Sequence, residues 1–211
     1  MAQKDIFAES EGNAWFRRNS SNVAASDEDP LLLELRDLPL SAEPSARVLE
    51  IGCGGGRRLE WLKQHRGCQC VGLDPASDAV AAARSIGIEA VRGTADVLPF
   101  GNAEFDCVIF GFCLYLCDRA DLFRIAAEAD RVLRDPGWLV ILDFYSREPK
   151  AREYHHRPGL FSYKMDYRNL FLWHPAYTSI SHKVRHHVGG QVTDDTDEWI
   201  ATSVLRKRTP T

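Results

Sequence analysis

The sequence predicts an α/β fold, a doubly wound parallel sheet with helices on both faces, and three observations carry that expectation. Short apolar runs alternate with amphipathic stretches of helical length from residue 48 to residue 144. The run from Phe105 to Leu116 is almost continuously apolar, as a strand covered on both faces must be. Between the first run and the helix after it lies the glycine-rich bend Gly52-Cys53-Gly54-Gly55-Gly56.

With 211 residues, 45% of them hydrophobic, the chain suits one domain with a full core. A formal net charge of −4 without a long basic block argues against a dedicated nucleic-acid surface, and Arg206-Lys207-Arg208 reads as a solvated chain end. No run of eighteen apolar residues is present, and the opening residues lack the apolar stretch of a secretory signal, so a cytoplasmic protein without membrane partners is expected. The six cysteines fit free thiols in a reducing compartment. Neither Cys68-x-Cys70 nor Cys113-x-x-x-Cys117 has paired zinc spacing, and His182, His186 and His187 lack a nearby carboxylate cluster, so no metal site is expected and these histidines read as surface groups.

Taken in order, residues 1–44 form a segment whose Phe7, Trp15 and Phe16 need burial, so it should dock on the core. Polar punctuation at 20–22 and 26–30 precedes a helix over 31–38. Val48, Leu49 and Ile51 make a short buried strand, and Leu59, Trp61 and Leu62 supply the apolar positions of the following helix. Gly52, Gly54 and Gly56 lack a Cβ, so the backbone there can take positive φ and a ligand can lie against amides that lead into a helix N-terminus. A dinucleotide fingerprint, counted from Gly52, requires a third small residue at 57, where Arg57 stands.

A second strand ends at Asp74-Pro75. A carboxylate at that place can accept from both hydroxyls of a ribose, or can cap the helix that follows. That helix covers 79–85, Gly87 ends it, and 89–92 is a third strand. In the loop 93–100, Asp96 supplies a carboxylate that can form a turn. Leu122, Ile125, Ala126, Ala129 and Val132 give a strong amphipathic helix over 121–132, and a turn at 135–137 leads to a fifth strand over 138–144. Residues 146–176 carry little periodicity, whereas 177–185 and 199–206 alternate like paired strands.

The spacing Glu50-x-Gly52-x-Gly54-x-Gly56 resembles motif I of the class I S-adenosylmethionine (SAM) dependent methyltransferases. Asp74 is similar to the acid of that family's motif II, residues 93–100 to its adenine-contacting loop, and Phe105-Asp106 to the opening of its fourth strand. The turn Asp135-Pro136-Gly137 resembles the family's Pro-Gly-Gly turn, with Trp138 at the second glycine. The resemblance covers roughly residues 45–145 and implies a Rossmann-like doubly wound sheet of seven strands, mostly parallel with the last antiparallel. The implied layout is a single domain: an N-terminal cap over 1–44, a SAM-binding core over 45–145, a substrate-side insertion over 146–176 and a strand pair over 177–208.

The implied cofactor is SAM, with S-adenosylhomocysteine as product. The implied cofactor-binding set is Glu50, Gly52, Gly54, Gly56, Asp74, Pro75, Asp96, Val97 (packed on the adenine) and Phe110, joined at the methionine end by Trp15 and Arg18. The Trp15-Phe16-x-Arg18-Asn19 ending is similar to methyltransferases found with bacterial surface-polysaccharide and nonulosonic-acid genes. Many relatives have a histidine after the fourth strand; here the run is Gly111-Phe112-Cys113-Leu114-Tyr115. Without that histidine, His155, His156 and Tyr115 are the catalytic candidates, and Arg157, Tyr163, Lys164 and Phe112 the candidates for holding the acceptor.

The expected activity is methyl transfer to a small polar acceptor, a hydroxyl or carboxylate of a sugar-like metabolite in a bacterial glycan pathway, by a monomer or homodimer. The alternatives are a methyltransferase of another metabolite or natural product, a non-catalytic SAM-binding protein, and an enzyme that uses SAM without moving its methyl. A nucleic-acid methyltransferase would show an Asn/Asp-Pro-Pro-aromatic motif where Gly111-Phe112-Cys113-Leu114 stands.

Overall fold

A computed structural model describes residues 2–20, 28–40 and 45–210; the polar punctuation at 21–22 and 26–27 lies outside these. Seven strands form the main sheet: β1 (Arg47–Ile51), β2 (Gln69–Asp74), β3 (Glu89–Arg92), β4 (Phe105–Gly111), β5 (Leu133–Phe144), β8 (Tyr177–His186) and β9 (Trp199–Lys207). Their order is β3-β2-β1-β4-β5-β9-β8, and β6 (Lys150–Glu153) with β7 (Phe161–Lys164) makes a separate hairpin. The pairs β1–β2, β1–β4, β2–β3 and β4–β5 are parallel, while β9 runs antiparallel to both β5 and β8. The sheet is therefore the seven-stranded, mostly parallel Rossmann-like one.

Side-chain alternation along the buried strands splits the core in two. Val108, Phe110, Leu139 and Ile141 face α6 (Leu122–Val132). Their strand neighbours Cys107, Ile109, Val140 and Leu142 face α3 (Pro30–Asp37) and α4 (Arg57–Arg66). The fourth helix of the sheet, α5 (Ser77–Ser85), packs Ala79, Val80 and Ala83 inward. Among the described residues, the other two α-helices lie at the N-terminus, where α1 (Gln3–Ile6) and α2 (Gly12–Asn19) are joined by one wide π turn, Phe7–Glu11. Among the described residues, no helix is long and apolar enough to cross a membrane.

Three local differences from the sequence reading have physical causes. The fourth strand stops at Gly111 instead of running to Leu116, because the Asp143 carboxylate at the end of β5 accepts from the Leu114 and Tyr115 amides at 2.8 and 3.4 Å. That grip bends Leu114–Leu116 into one 3-10 turn. The fifth strand begins at Leu133, with a register shift between Phe105 and Cys107 on its partner that absorbs the Asp135-Pro136-Gly137 turn. Residues 146–176 hold the β6–β7 hairpin and a 3-10 turn, Tyr167–Leu170, whose Tyr167 and Leu170 join Phe171 in the core.

Candidate functional site

The strand order reverses between β1 and β4, and the loops past those two strands open a crevice where ligands of such sheets bind. Gly52, Gly54 and Gly56 have φ of 76°, 52° and 74°, the left-handed region that other residues avoid. At Gly52 the space is closed as well, since a Cβ there would lie 2.6 Å from the Cβ of Cys113. Asp74 fixes the turn: one carboxylate oxygen accepts from the Gly54 amide and the other from the Ala76 amide, both at 2.9 Å. Burial raises the Asp74 pKa against the pull of those two amides.

Two cavities meet at this loop. The first, about 110 Å³, is mostly apolar and reaches from Gly52, Asp74 and Pro75 to Thr94, Ala95 and Asp96. Its roof is the N-terminal segment, which contributes Lys4, Phe7 and Trp15. Lys4 Nζ donates to Asp96 at 2.5 Å and sits 2.8 Å from Asp121. Burial raises the Asp96 pKa, but hydrogen bonds from Lys4 and Thr94 outweigh it and hold the carboxyl below its usual range. Two expected cofactor contacts stand elsewhere. The Val97 side chain is 62% exposed, turned outward because Leu98 takes the inward position of that loop. Phe110 is fully buried on the α6 side of the sheet, its ring 6.4 Å from that of Phe171, so its place in the strand alternation points it into the core.

The second cavity, about 950 Å³, is wider and more polar, and it shares Trp15, Gly52 and Phe112 with the first. Phe112 has φ 54°, a strained value for a bulky residue, and marks the junction. Its ring packs 5.5 Å from Phe144 and 6.0 Å from His187, and Tyr115 meets Phe144 edge-on at 5.0 Å. Lys164 holds its ammonium 5.0 Å over the Phe144 ring and donates to the Asp197 carbonyl; burial, then nearby Arg152, lowers its pKa. Tyr163 lines the same wall beneath the Arg119 guanidinium, 4.1 Å from its ring. His155 and His156 also line this cavity, with ring centroids 3.6 Å apart. Burial, Arg18 and His155 lower the His156 pKa.

Four expected site residues have other partners. The Tyr115 hydroxyl accepts from Trp15 Nε1 at 3.0 Å, and burial pushes its pKa far above the ordinary phenol. Arg18 is tied to Glu11 at 2.5 Å and to the Tyr154 hydroxyl at 3.0 Å, outside both cavities. Arg157 donates to Ser10 Oγ at 2.7 Å and is likewise outside both. Glu50 is fully buried behind the glycine loop, its Oε1 taken by Arg58 at 3.1 Å and its Oε2 without a partner among the described residues. Burial outweighs Arg58 and raises the Glu50 pKa to about 7.

Arg58 and Phe144, which no motif marks, line the second cavity together with His187, a residue expected at the surface. Its position just past β8 carries no motif, and only the β8–β9 pairing brings it to Phe112.

A reversed-order α/β sheet, a glycine-rich bend and an acid at the end of the next strand make the fold similar to that of the class I SAM-dependent methyltransferases. The methyltransferase domain family matches residues 49–141 of the chain. The chain is 36% identical over 115 residues to an uncharacterised methyltransferase of Synechocystis, covering 54% of this chain and 53% of that protein. It is 37% identical over 102 residues to a fatty-acid O-methyltransferase of Mycolicibacterium smegmatis, covering 46% of this chain and 36% of the relative. It thus spans about half the length of the first relative and about a third of the second. In fold it is similar to the Burkholderia thailandensis 1,6-didemethyltoxoflavin N1-methyltransferase crystallised with its acceptor and S-adenosylhomocysteine, with a TM-score of 0.65, 17% identity and coverage of 98% and 87%.

Proposed function

We propose that this protein transfers a methyl group from SAM to a hydroxyl or carboxylate of a small, polar, sugar-like acceptor in the cytosol, as part of a bacterial glycan pathway. The observation that carries the reading is the meeting of the two cavities at Trp15, Gly52 and Phe112. The first suits an adenosine, with apolar walls for the base and Asp74 at the ribose. The second has room for an acceptor and carries polar groups able to orient it.

When bound, the cofactor supplies a sulfonium methyl that is electrophilic without help from the protein. The chain's own task is to align the acceptor oxygen with that methyl at the junction, where Phe112 and Trp15 exclude water. Orientation of this kind lowers a barrier by roughly 7–11 kcal/mol. For a hydroxyl acceptor, neutral His156 takes the proton, an effect on the order of a hundredfold or more; a carboxylate needs no base. Tyr163, Lys164 and Phe112 bind the acceptor. An oxygen acceptor is favoured by the O-methyltransferase among the relatives, and the glycan pathway by the likeness at 15–19.

The test is incubation with methyl-labelled SAM and fractionated bacterial metabolites. Label appearing in a small polar fraction, with stoichiometric S-adenosylhomocysteine, is the expected result. Cofactor binding by calorimetry with no labelled product in any fraction would instead favour a non-catalytic SAM-binding protein.

A further inference from the structure

Arg58 is a buried cation in the wall of the second cavity, beside Gly52, Cys53 and Gly54. It stands in the first turn of α4, the helix the glycine loop opens. Its Nε donates to Asp29 at 2.7 Å and its Nη1 to Glu50 at 3.1 Å, and both carboxylates are themselves largely buried. Among the described residues, these two carboxylates are its only hydrogen-bond partners. A guanidinium has five N–H donors in a rigid plane, so two fixed carboxylates set its orientation and leave donors for a third oxygen-bearing group.

We infer that Arg58 is the anchor for the methionyl carboxylate of the cofactor, with Glu50 and Asp29 as the buried counterions that aim it. The inference rests on the SAM reading above. It also explains the family acid at position 50: buried behind the loop, Glu50 reaches the ligand only through Arg58. Arg18, the N-terminal candidate for the methionine end, is withdrawn from it by Glu11 and Tyr154. The methionyl group brings one negative and one positive charge, so its seating adds no net charge to a cluster that already holds Arg58 between two acids. Asp29, in the same cavity wall, faces the ammonium half of that zwitterion. Charged and titratable groups around Glu50 are Arg58 from α4, Asp29 from the α3 N-cap, Asp74 from the end of β2, and the thiols of Cys53, Cys70 and Cys113.

The experiment compares two adenosyl ligands on the full chain by calorimetry. S-adenosylhomocysteine carries the amino-acid end, and 5′-methylthioadenosine lacks it. Arg58→Met should weaken S-adenosylhomocysteine about 10- to 100-fold and leave 5′-methylthioadenosine within twofold, while Arg58→Lys keeps the charge and recovers part of the loss. Should Arg58→Met unfold because Glu50 is left buried and unpaired, Arg58→Met with Glu50→Gln removes both charges, and the same ligand-selective loss is expected. Equal weakening of both ligands makes Arg58 a scaffold residue and overturns the inference, as does no weakening of either. If the unaltered protein binds neither ligand, the SAM reading itself falls and the anchor with it.

Discussion

Asp74→Asn separates a structural duty from a ligand duty at one side chain. The carboxylate spends one oxygen on the Gly54 amide and the other on the Ala76 amide, each at 2.9 Å. In asparagine one oxygen becomes an NH2, so one buried backbone donor meets another donor and loses its partner, a cost of about 1–3 kcal/mol. The apo protein should lose that much in denaturant unfolding. If Asp74 also accepts from the ribose hydroxyls, the substitution should weaken adenosine by a further ~1–2 kcal/mol, about tenfold, beyond any loosening of the loop. Loop loosening acts equally on adenosine and 2′-deoxyadenosine, whereas a lost ribose contact acts on adenosine alone, so the four affinities form a cycle. The unaltered protein should prefer adenosine and Asp74→Asn should lose that preference. An equal preference in both proteins would refute the ribose contact and leave Asp74 as a brace for the loop.

Three further outcomes follow from the same geometry. Glu50 has an ordinary pKa of 4.5 and a folded-state value of about 7. Its proton therefore favours the folded state below 4.5, and that contribution is lost as pH rises through 7, at roughly 1.4 kcal/mol per unit of separation. Glu50→Gln should gain on the unaltered protein in urea unfolding as pH goes from 5 to 8, and a constant difference between the two would contradict the burial argument. Gly52→Ala meets both a left-handed φ and Cys113 at 2.6 Å, and should cost about 2–4 kcal/mol. Gly54→Ala meets only the φ, with no atom within 4 Å, and should cost about 1–2 kcal/mol; equal melting temperatures for the two would discount the crowding at Gly52. His156→Ala should slow transfer to a hydroxyl acceptor at least tenfold without moving S-adenosylhomocysteine affinity, and unchanged turnover would leave His156 as a wall residue.

The legible part of the site was the part built by one short stretch of chain. Gly52, Gly54 and Asp74 could be read because a bend and a carboxylate at the ends of adjacent parallel strands must converge, whatever packs around them. Arg58 was hidden in plain view: a charged residue in the first turn of a helix reads as solvated, and only the approach of Asp29 and Glu50 buries it. Arg18 and Arg157 are engaged in ways that no local pattern shows: Arg18 is held by Glu11 within the N-terminal segment, and the Arg18–Tyr154 and Arg157–Ser10 contacts tie that segment to residues 146–176. Phe110 and Val97 turned on register: one position along a strand or loop exchanges cavity for core or solvent.

Those contacts make the N-terminal segment a strap across both cavities, and Lys4 is its fastening at the first cavity. Gln3 is bound beside it: its side-chain amide donates to the carbonyls of Leu116 and Phe161 and accepts from the Phe161 amide, while Asp118 accepts from the Gln3 and Lys4 amides. Lys4→Met would keep the apolar stem and remove the ammonium from between Asp96 and Asp121, both largely buried. Two carboxylates facing each other without that cation repel, and partly buried pairs broken on one side cost about 1–3 kcal/mol. The strap is held at Gln3 as well, so the expected result is local: faster proteolysis within residues 2–20 and a small fall in melting temperature. The Asp96 carboxylate, released from Lys4, can then accept wholly from an adenine amino group, and adenosine affinity should hold or rise. A fall in adenosine affinity with the strap still protected from protease would mean that the Lys4–Asp96 pair itself is the wall the base packs on, and that Asp96 does not meet the adenine amino group directly.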